Sequence, residues 1–303
     1  MPQPTPLLRR MTEDPPSQAG RRDTAPADAG PAGAAQTEEG GPADGRRTAL
    51  PDTRSGDVPE GWTPVSIATW NIHSCVGIDA RFAPDRIAGV IRSLNADVVG
   101  LQEVGWHHRG ESGIDQFDFL EKATGMTALA GPTKHHRTAH YGNALLTRLP
   151  VLSVEMLDLS LPIREPRGAL AALLDTGGTP LRVIVAHLGL DPWERNEQVS
   201  RVLAFVNAQP SGPTVFMGDL NEWRPGAPRL KRLAERLPDC AAPRSFHARL
   251  PTLRLDRIFV SADLHLAAYE VVRNATTRRA SDHLPVRAVL GVPPAGATDL
   301  AAD

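Results

Sequence analysis

Between residues 65 and 290 the chain is cut into short, continuous apolar runs, each bounded by glycine, proline or a polar residue. That punctuation limits what it can fold into. VSIATW (65–70), ADVVGLQEV (96–104), GNALLT (142–147), VLSVEML (151–157) and ALAALL (169–174) are of strand length. So are LRVIVAHL (181–188), PTVFMGDL (213–220), LDRIFV (255–260), LAAYEVV (266–272) and LPVRAVL (284–290). Continuous rather than alternating runs suit strands buried on both faces. Three segments carry a helical period instead. APDRIAGVIRSLN (83–95) places Ile87, Val90, Ile91 and Leu94 on one face, with Pro84 in the first turn. DPWERNEQVSRVLAFVNAQ (191–209) opens on Asp191 as N-cap and presents Val199, Val202, Leu203 and Val206. GAPRLKRLAERLPD (226–239) repeats Leu230, Leu233 and Leu237. Strands and helices mixed in this way predict an α/β chain of two packed sheets with helices outside them.

Composition sets the boundaries. Residues 1–60 are rich in Pro, Gly, Ala and charge, with too few large apolar side chains to offset the entropy of ordering, and read as a disordered tail. Residues 61–291 form the expected domain, and 292–303 a loose C-terminal tail. Formal net charge is -2, with the tails acidic and the domain faintly basic. That is weaker than the basic bias common in nucleic-acid binders, and it leaves a phosphate-bearing substrate open. Two cysteines, Cys75 and Cys240, form neither a disulfide framework nor a zinc spacing. No run reaches the ~18 apolar residues of a membrane span, and the first residues lack a secretory core. The expectation is a cytoplasmic protein with no stable membrane insertion.

Chemistry-bearing residues sit where the apolar runs end. Asn71 follows the first run, Glu103 and His187 lie near the ends of theirs, Asp219 and Asn221 follow TVFMG, and Asp282 and His283 precede the last run. Ligands of open α/β sheets gather at strand ends. Each residue alone has a structural reading as a turn former or cap. Together they make a hard-oxygen set suited to magnesium or manganese, not to zinc.

The ordered motifs TWNIH (69–73), LQEV (101–104), GNALLTR (142–148), REPRGA (164–169), VAHLGL (185–190), GDLNEW (218–223), LDRIFV (255–260) and SDHLPV (281–286) resemble the endonuclease/exonuclease/phosphatase superfamily. The resemblance spans about residues 64 to 291. It implies a four-layer α/β/β/α sandwich, with two mostly antiparallel central sheets flanked by helices. Carried over residue by residue, it implies that Glu103, Asn71 and Asp282 hold a Mg2+ or Mn2+ ion. Asp219 then orients or deprotonates the attacking water, with Asn221 beside it on the phosphate. His283 faces the phosphate, held by Asp256, and His187 is the second active-site histidine. Arg164 clamps the phosphate, and His140 or Tyr141 offers it a further donor.

Two departures bear on the resemblance. Secreted deoxyribonucleases support the second histidine with a mid-chain glutamate. Here no Asp or Glu occurs from 122 to 154, so His187 relies on another partner, with Glu165 a candidate, or acts unpaired. The first motif reads WNIHSCVG and the late one RLDRIF, which match neither abasic-site endonucleases nor inositol polyphosphate phosphatases. A basic stretch, Lys134, His135, His136, Arg137 and His140, suits a phosphate-rich ligand or a solvated loop, and Arg254, Arg257, Arg278 and Arg279 flank other motifs. Trp106, Trp193 and Trp223 follow site motifs and suit either a cleft wall or the core. The expected activity is metal-assisted attack of water on a phosphodiester by a monomeric enzyme. A nucleic acid is favoured over a lipid headgroup or small phosphate ester, because no Trp-rich hairpin or basic amphipathic helix is evident. A non-catalytic module of the same fold is disfavoured, since Glu103, Asp219 and His283 are all retained.

Overall fold

The computed structural model describes residues 51–105, 114–136 and 139–296. The tail reading for residues 1–50, Trp106, Arg137 and residues 297–303 lie outside the described residues, as do the side chains of Lys134, His135 and His136. In chain order the elements are β1 (Thr63–Asn71), α1 (Pro84–Leu94), β2 (Val98–Gly105), α2 (Gln116–Thr124), β3 (Thr127–His136), β4 (Ala139–Thr147), β5 (Val151–Asp158) and β6 (Gly168–Leu174). There follow β7 (Leu181–His187), α3 (Pro192–Ala208), β8 (Thr214–Asp219), α4 (Pro228–Arg236), β9 (Asp239–Ala241), β10 (Asp256–Val260), β11 (His265–Val271), α5 (Thr277–Ala280) and β12 (Val286–Val292).

Two six-stranded sheets result, ordered β11-β12-β1-β2-β4-β3 and β5-β6-β7-β8-β10-β9. Each has one parallel pair at its centre, β1–β2 and β7–β8, and antiparallel neighbours elsewhere. Each parallel pair is bridged by a crossover helix, α1 or α3, as parallel strands require. The sheets face each other across a core that includes Ile67, Val98, Leu170, Val185, Met217, Ile258 and Leu290. On the outside of the first sheet, α1 and α2 bury the predicted Ile87, Val90, Ile91 and Leu94 with Leu120. Burying side chains of that size contributes roughly 1.5–3 kcal/mol each, so Ile91→Asp would break the layer. On the second sheet α3 and α4 bury Val199, Val202, Val206, Leu230, Leu233 and Leu237. Leu203 is only partly buried. This is the four-layer sandwich expected.

Four features depart from expectation. The edge strand β3 pairs with β4 despite Gly131 and Pro132, with a register shift after Pro132. Helix α2 starts at Asp115, whose carboxylate accepts from Phe117 N and Asp118 N, and ends at Gly125 in the left-handed region. Strand β5 is not buried on both faces. It lies at a sheet edge, and Leu152, Val154 and Met156 on one face are about half exposed. Finally, the domain begins before residue 61. Arg54 exchanges backbone hydrogen bonds with Tyr269 at 2.9 and 3.0 Å, covering the β11 edge, and its guanidinium grips both oxygens of Asp239. Asp52 pairs with Arg244 and Arg254. Long-range pairs of this kind leave no trace in local composition. At the other end β12 includes Val292.

Candidate active site

The carboxyl ends of the two parallel pairs meet. Asn71 ends β1, Glu103 lies near the end of β2, His187 ends β7 and Asp219 ends β8. One amide ties the sheets together: Asn71 Nδ2 donates to Glu103 Oε1 at 2.9 Å and to Asp219 Oδ2 at 3.1 Å. Asn71 is buried, as is Asp219. Ser281 Oγ holds the Asn71 carbonyl at 2.8 Å, and Trp70 Nε1 donates to the His283 carbonyl at 2.9 Å, fixing the β12 approach to β1.

Local backbone aims these side chains. The β2–β4 register slips between Leu101 and Val104, and Glu103 sits in that bulge with φ of 57°. A non-glycine residue there costs about 1–2 kcal/mol, a strain found at functional sites. Asn221 is held the same way, at φ of 49°. Gly218 lets β7 and β8 close just before Asp219. Its φ is 147°, and a Cβ would lie 1.8 Å from the Ala186 oxygen.

Behind His283 stands Asp256. The imidazole Nδ1 lies 2.8 Å from Asp256 Oδ2, which also accepts from Ser245 Oγ, and Nε2 faces Asp219 Oδ2 at 3.5 Å. Burial alone would depress the pKa of His283, but the Asp256 and Asp219 carboxylates outweigh it and raise the imidazole to about 10. Asp219, Asp256 and His283 lie close enough together to suggest a cation site. The oxygen of Asp256 that faces His283 is committed to two donors, the imidazole and Ser245, while its other oxygen is buried without a hydrogen-bond partner among the described residues.

His187 is handled oppositely. Its Nδ1 faces Arg167 Nη1 at 3.0 Å, and Arg167 in turn grips Glu165 at 2.8 Å. Burial first, and then the Arg167 cation, push the imidazole down to about 3. A guanidinium can only donate, so Nδ1 accepts and the single ring hydrogen of the neutral form sits on Nε2. Asn221 Nδ2, 3.1 Å from that Nε2, has the Leu188 carbonyl as its own acceptor at 2.9 Å. The partner of His187 is therefore an arginine, with Glu165 one step further back.

Of the other expected residues, Tyr141 lines the pocket with Glu103, Thr133, Asn143, Arg167 and His187, and burial raises its pKa. His140, the preceding strand residue, is exposed. Arg164 is on the rim, 3.6 Å from Asp191, while Arg167 three positions on is buried in the site. Arg257 and Arg254 prove structural: Arg257 is buried against the Glu222 carbonyl, and Arg254 holds Asp52 and the Ala242 carbonyl. Asp282 faces His73 at 3.7 Å, and both act on Glu103. Burial raises the Glu103 pKa. Asn71 and His73 oppose the rise, and Asp282 and Asp219 add to it. Sequence reasoning missed Arg167, Ser245 and His73. Arg167 had a usable signal, since it directly precedes β6 and so lies at a strand end like the others.

Behind the β8 loop, Glu222 is fully buried and accepts from Arg195 and Arg229. That network anchors the segment bearing Asp219 and Asn221.

Comparison with known proteins agrees with this geometry. Residues 68–283 match the model of the Endonuclease/Exonuclease/phosphatase family. The chain is 30% identical over 239 residues to the uncharacterized protein YbhP of Escherichia coli K12, covering 73% of this chain and 94% of YbhP. It superposes on the endonuclease/exonuclease/phosphatase from Beutenbergia cavernae with a TM-score of 0.64 at 25% identity, covering 76% of this chain and 72% of that one. TDP2 of D. rerio, solved with a single-strand DNA product, gives a TM-score of 0.58 at 20% identity, over 75% of this chain and 99% of that one. Members of the family hydrolyse phosphoric esters and generally depend on a divalent metal. This chain belongs to the endonuclease/exonuclease/phosphatase family.

Proposed function

We propose that the chain hydrolyses a phosphodiester by in-line attack of water, with Mg2+ or Mn2+ as cofactor. The observation that carries this is the Asn71 amide bridging Glu103 and Asp219 from two different sheets. The donor set fits a hard cation: Asp282 and Asp219 lie close enough to Glu103 to raise its proton affinity, and oxygen donors predominate. Glu103 and Asp282 would hold it; Asn71, expected as a third ligand, instead turns its amide hydrogens to Glu103 and Asp219 and its oxygen to His73 N at 3.0 Å, so it positions the carboxylates. Bound there, a divalent ion would neutralise phosphate charge and make water more acidic.

The chain's own groups do the rest. Asp219, held by Asn71 Nδ2 and by Asn221 N at 3.0 Å, orients the water and accepts its proton. As the water oxygen bonds to phosphorus, the opposite P–O bond breaks and the leaving oxygen takes up a proton. His283, protonated at neutral pH and fixed by Asp256, donates through Nε2 to a phosphoryl oxygen. His187 donates through its Nε2–H while staying neutral, and Tyr141 and Arg167 add donors on the same wall.

The sequence favours nucleic acid over a lipid headgroup. Exposed apolar side chains at the site end support the other reading, a lipid diester. The test is incubation of the pure chain and of Asp219→Ala with magnesium and plasmid DNA, short RNA or a phospholipid diester. Hydrolysis of one class, lost in the variant and on chelation, is expected. Equal turnover by the variant would sink the assignment.

A further inference from the structure

Exposed apolar side chains are unevenly distributed. Among the described residues, three large ones lie along β5, and the rest lie on loops or, for Trp193, on a helix start at the site end. Ile114 follows β2, Ile163 joins β5 to β6, Leu190 joins β7 to α3, Trp193 lies in the first turn of α3, Trp223 follows β8, and Leu250 precedes β10. Register places these loops beside the site, since Ala169 pairs with Ala186 and Asp256 with Asp219. None of the described loops at the opposite end exposes a comparable side chain.

We propose that this apolar rim docks on a phospholipid surface and that the diester delivered to the site belongs to a phospholipid headgroup. The substrate half of this rests on the diesterase reading above.

Ile163 makes the case most sharply. It stands at a turn closed by Arg164 N to the Leu161 oxygen at 3.2 Å, with φ of 58° and the residue fully exposed. A β-branched residue is disfavoured in that backbone region, where glycine would relax the turn. The exposed Ile163 has no apolar partner among the described residues, and an external apolar phase would supply one. The rim is also braced. Arg164 reaches Asp191, tying the Ile163 turn to the Leu190 loop. Arg229 donates to the Pro192 oxygen at 2.9 Å and to Glu222, tying the start of α3 to the Trp223 loop.

Charge complements an anionic headgroup layer. Arg164, Arg224, Arg249, Arg278 and Arg279 are exposed on the same end, and Arg224 stacks over Trp223 at 5.1 Å. Aliphatic tips, tryptophan and arginine together make an interfacial surface: apolar tips enter the acyl boundary and guanidinium groups stay with phosphates. A nucleic acid would use the arginines and tryptophans, but Ile163, Leu190 and Leu250 offer bases no stacking face. No described helix is long and apolar enough to cross a membrane.

The test is co-sedimentation of the full chain with vesicles of phosphatidylcholine and phosphatidylglycerol, beside binding to a single-stranded DNA oligonucleotide. Ile163→Gly combined with Leu190→Ser is expected to weaken vesicle binding about tenfold or more. Leu152→Ser with Met156→Ser, on the β5 edge, leaves it unchanged. Quenching of tryptophan emission by brominated phosphatidylcholine gives a readout in the unaltered chain, and is expected because Trp193 and Trp223 are exposed. No vesicle binding and no quenching, equal loss from the β5 variant, or rim-dependent binding to DNA alone would each overturn the proposal. Hydrolysis of bis-p-nitrophenyl phosphate with Mn2+ separates the two readings. If it proceeds without vesicle binding, the rim proposal falls and the diesterase stands; vesicle binding without it leaves the docking and removes the diesterase.

Discussion

The two parallel strand pairs are built alike and finished differently. Both β1–β2 and β7–β8 run through a crossover helix and deliver polar groups at their carboxyl ends. The first pair delivers Asn71 and Glu103, and around Glu103 the Asn71 amide and the half-exposed His73 oppose the carboxylates of Asp282 and Asp219. On the second pair the charges are matched internally: Glu222 meets Arg195 and Arg229, and His187 meets Arg167 and Glu165. One half of the site is matched within the protein. The other gathers carboxylates around Glu103 that the proposed cation would offset.

Substitutions in the two halves should therefore behave differently. Largest is the loss of turnover: Asp219→Ala and Glu103→Gln should each lower diester hydrolysis about 1,000-fold or more, read by initial rates. Glu103→Gln should nonetheless leave the metal-free protein as stable as wild type, or more stable by about 1 kcal/mol, because it removes a partly buried charge that Asp282 and Asp219 repel. Glu222→Ala should do the reverse to the fold. It strands two buried guanidinium groups at a cost of about 3–5 kcal/mol, visible in a thermal or urea melt. If the two variants melted alike, the contrast between the halves would be wrong.

Protonation sharpens the same contrast. The His187 pKa of about 3 lies below the ordinary 6.5. The unfolded chain thus binds the extra proton first as pH falls. The stability contributed by neutral His187 is complete above pH ~6.5 and is lost progressively toward pH 3. Imidazole NMR should show His187 neutral with hydrogen on Nε2 at pH 5. In Arg167→Met its pKa should move up only partway, since burial remains. A protonated His187 at pH 5 in the unaltered chain would remove the arginine's assigned part.

The smallest effect concerns the N-terminal boundary. Removing residues 1–50 should leave the melt unchanged. Removing 1–58 should cost about 1–2 kcal/mol, because Arg54, its Asp239 pair and its bridge to Tyr269 go with it. Equal melts for the two truncations would return residues 51–58 to the tail.

What was legible in the sequence follows from range. The strand-end residues Asn71, Glu103, His187, Asp219 and His283 could be read because each sits at the end of an apolar run, a local signal. Helix α1 was readable for the same reason. Strand β3 was not, because Gly131 and Pro132 interrupt it and its identity comes from pairing with β4. Arg164 and Arg167 look equivalent in REPRGA; only packing turns one to the rim and buries the other against His187. The Asp52 and Arg54 pairs span some two hundred residues, beyond any local pattern. The exposed rim was hidden for a related reason. Trp193 and Trp223 were compatible with core or cleft until neighbouring elements were placed.

The central claim is most directly tested by Mn2+ titration followed by electron paramagnetic resonance, on the chelator-treated chain and on Glu103→Gln. The account predicts a protein-bound Mn2+ signal in the unaltered chain and binding weakened at least tenfold in the variant, with the fold intact by circular dichroism. Equal binding by both proteins, or none by either, would contradict it.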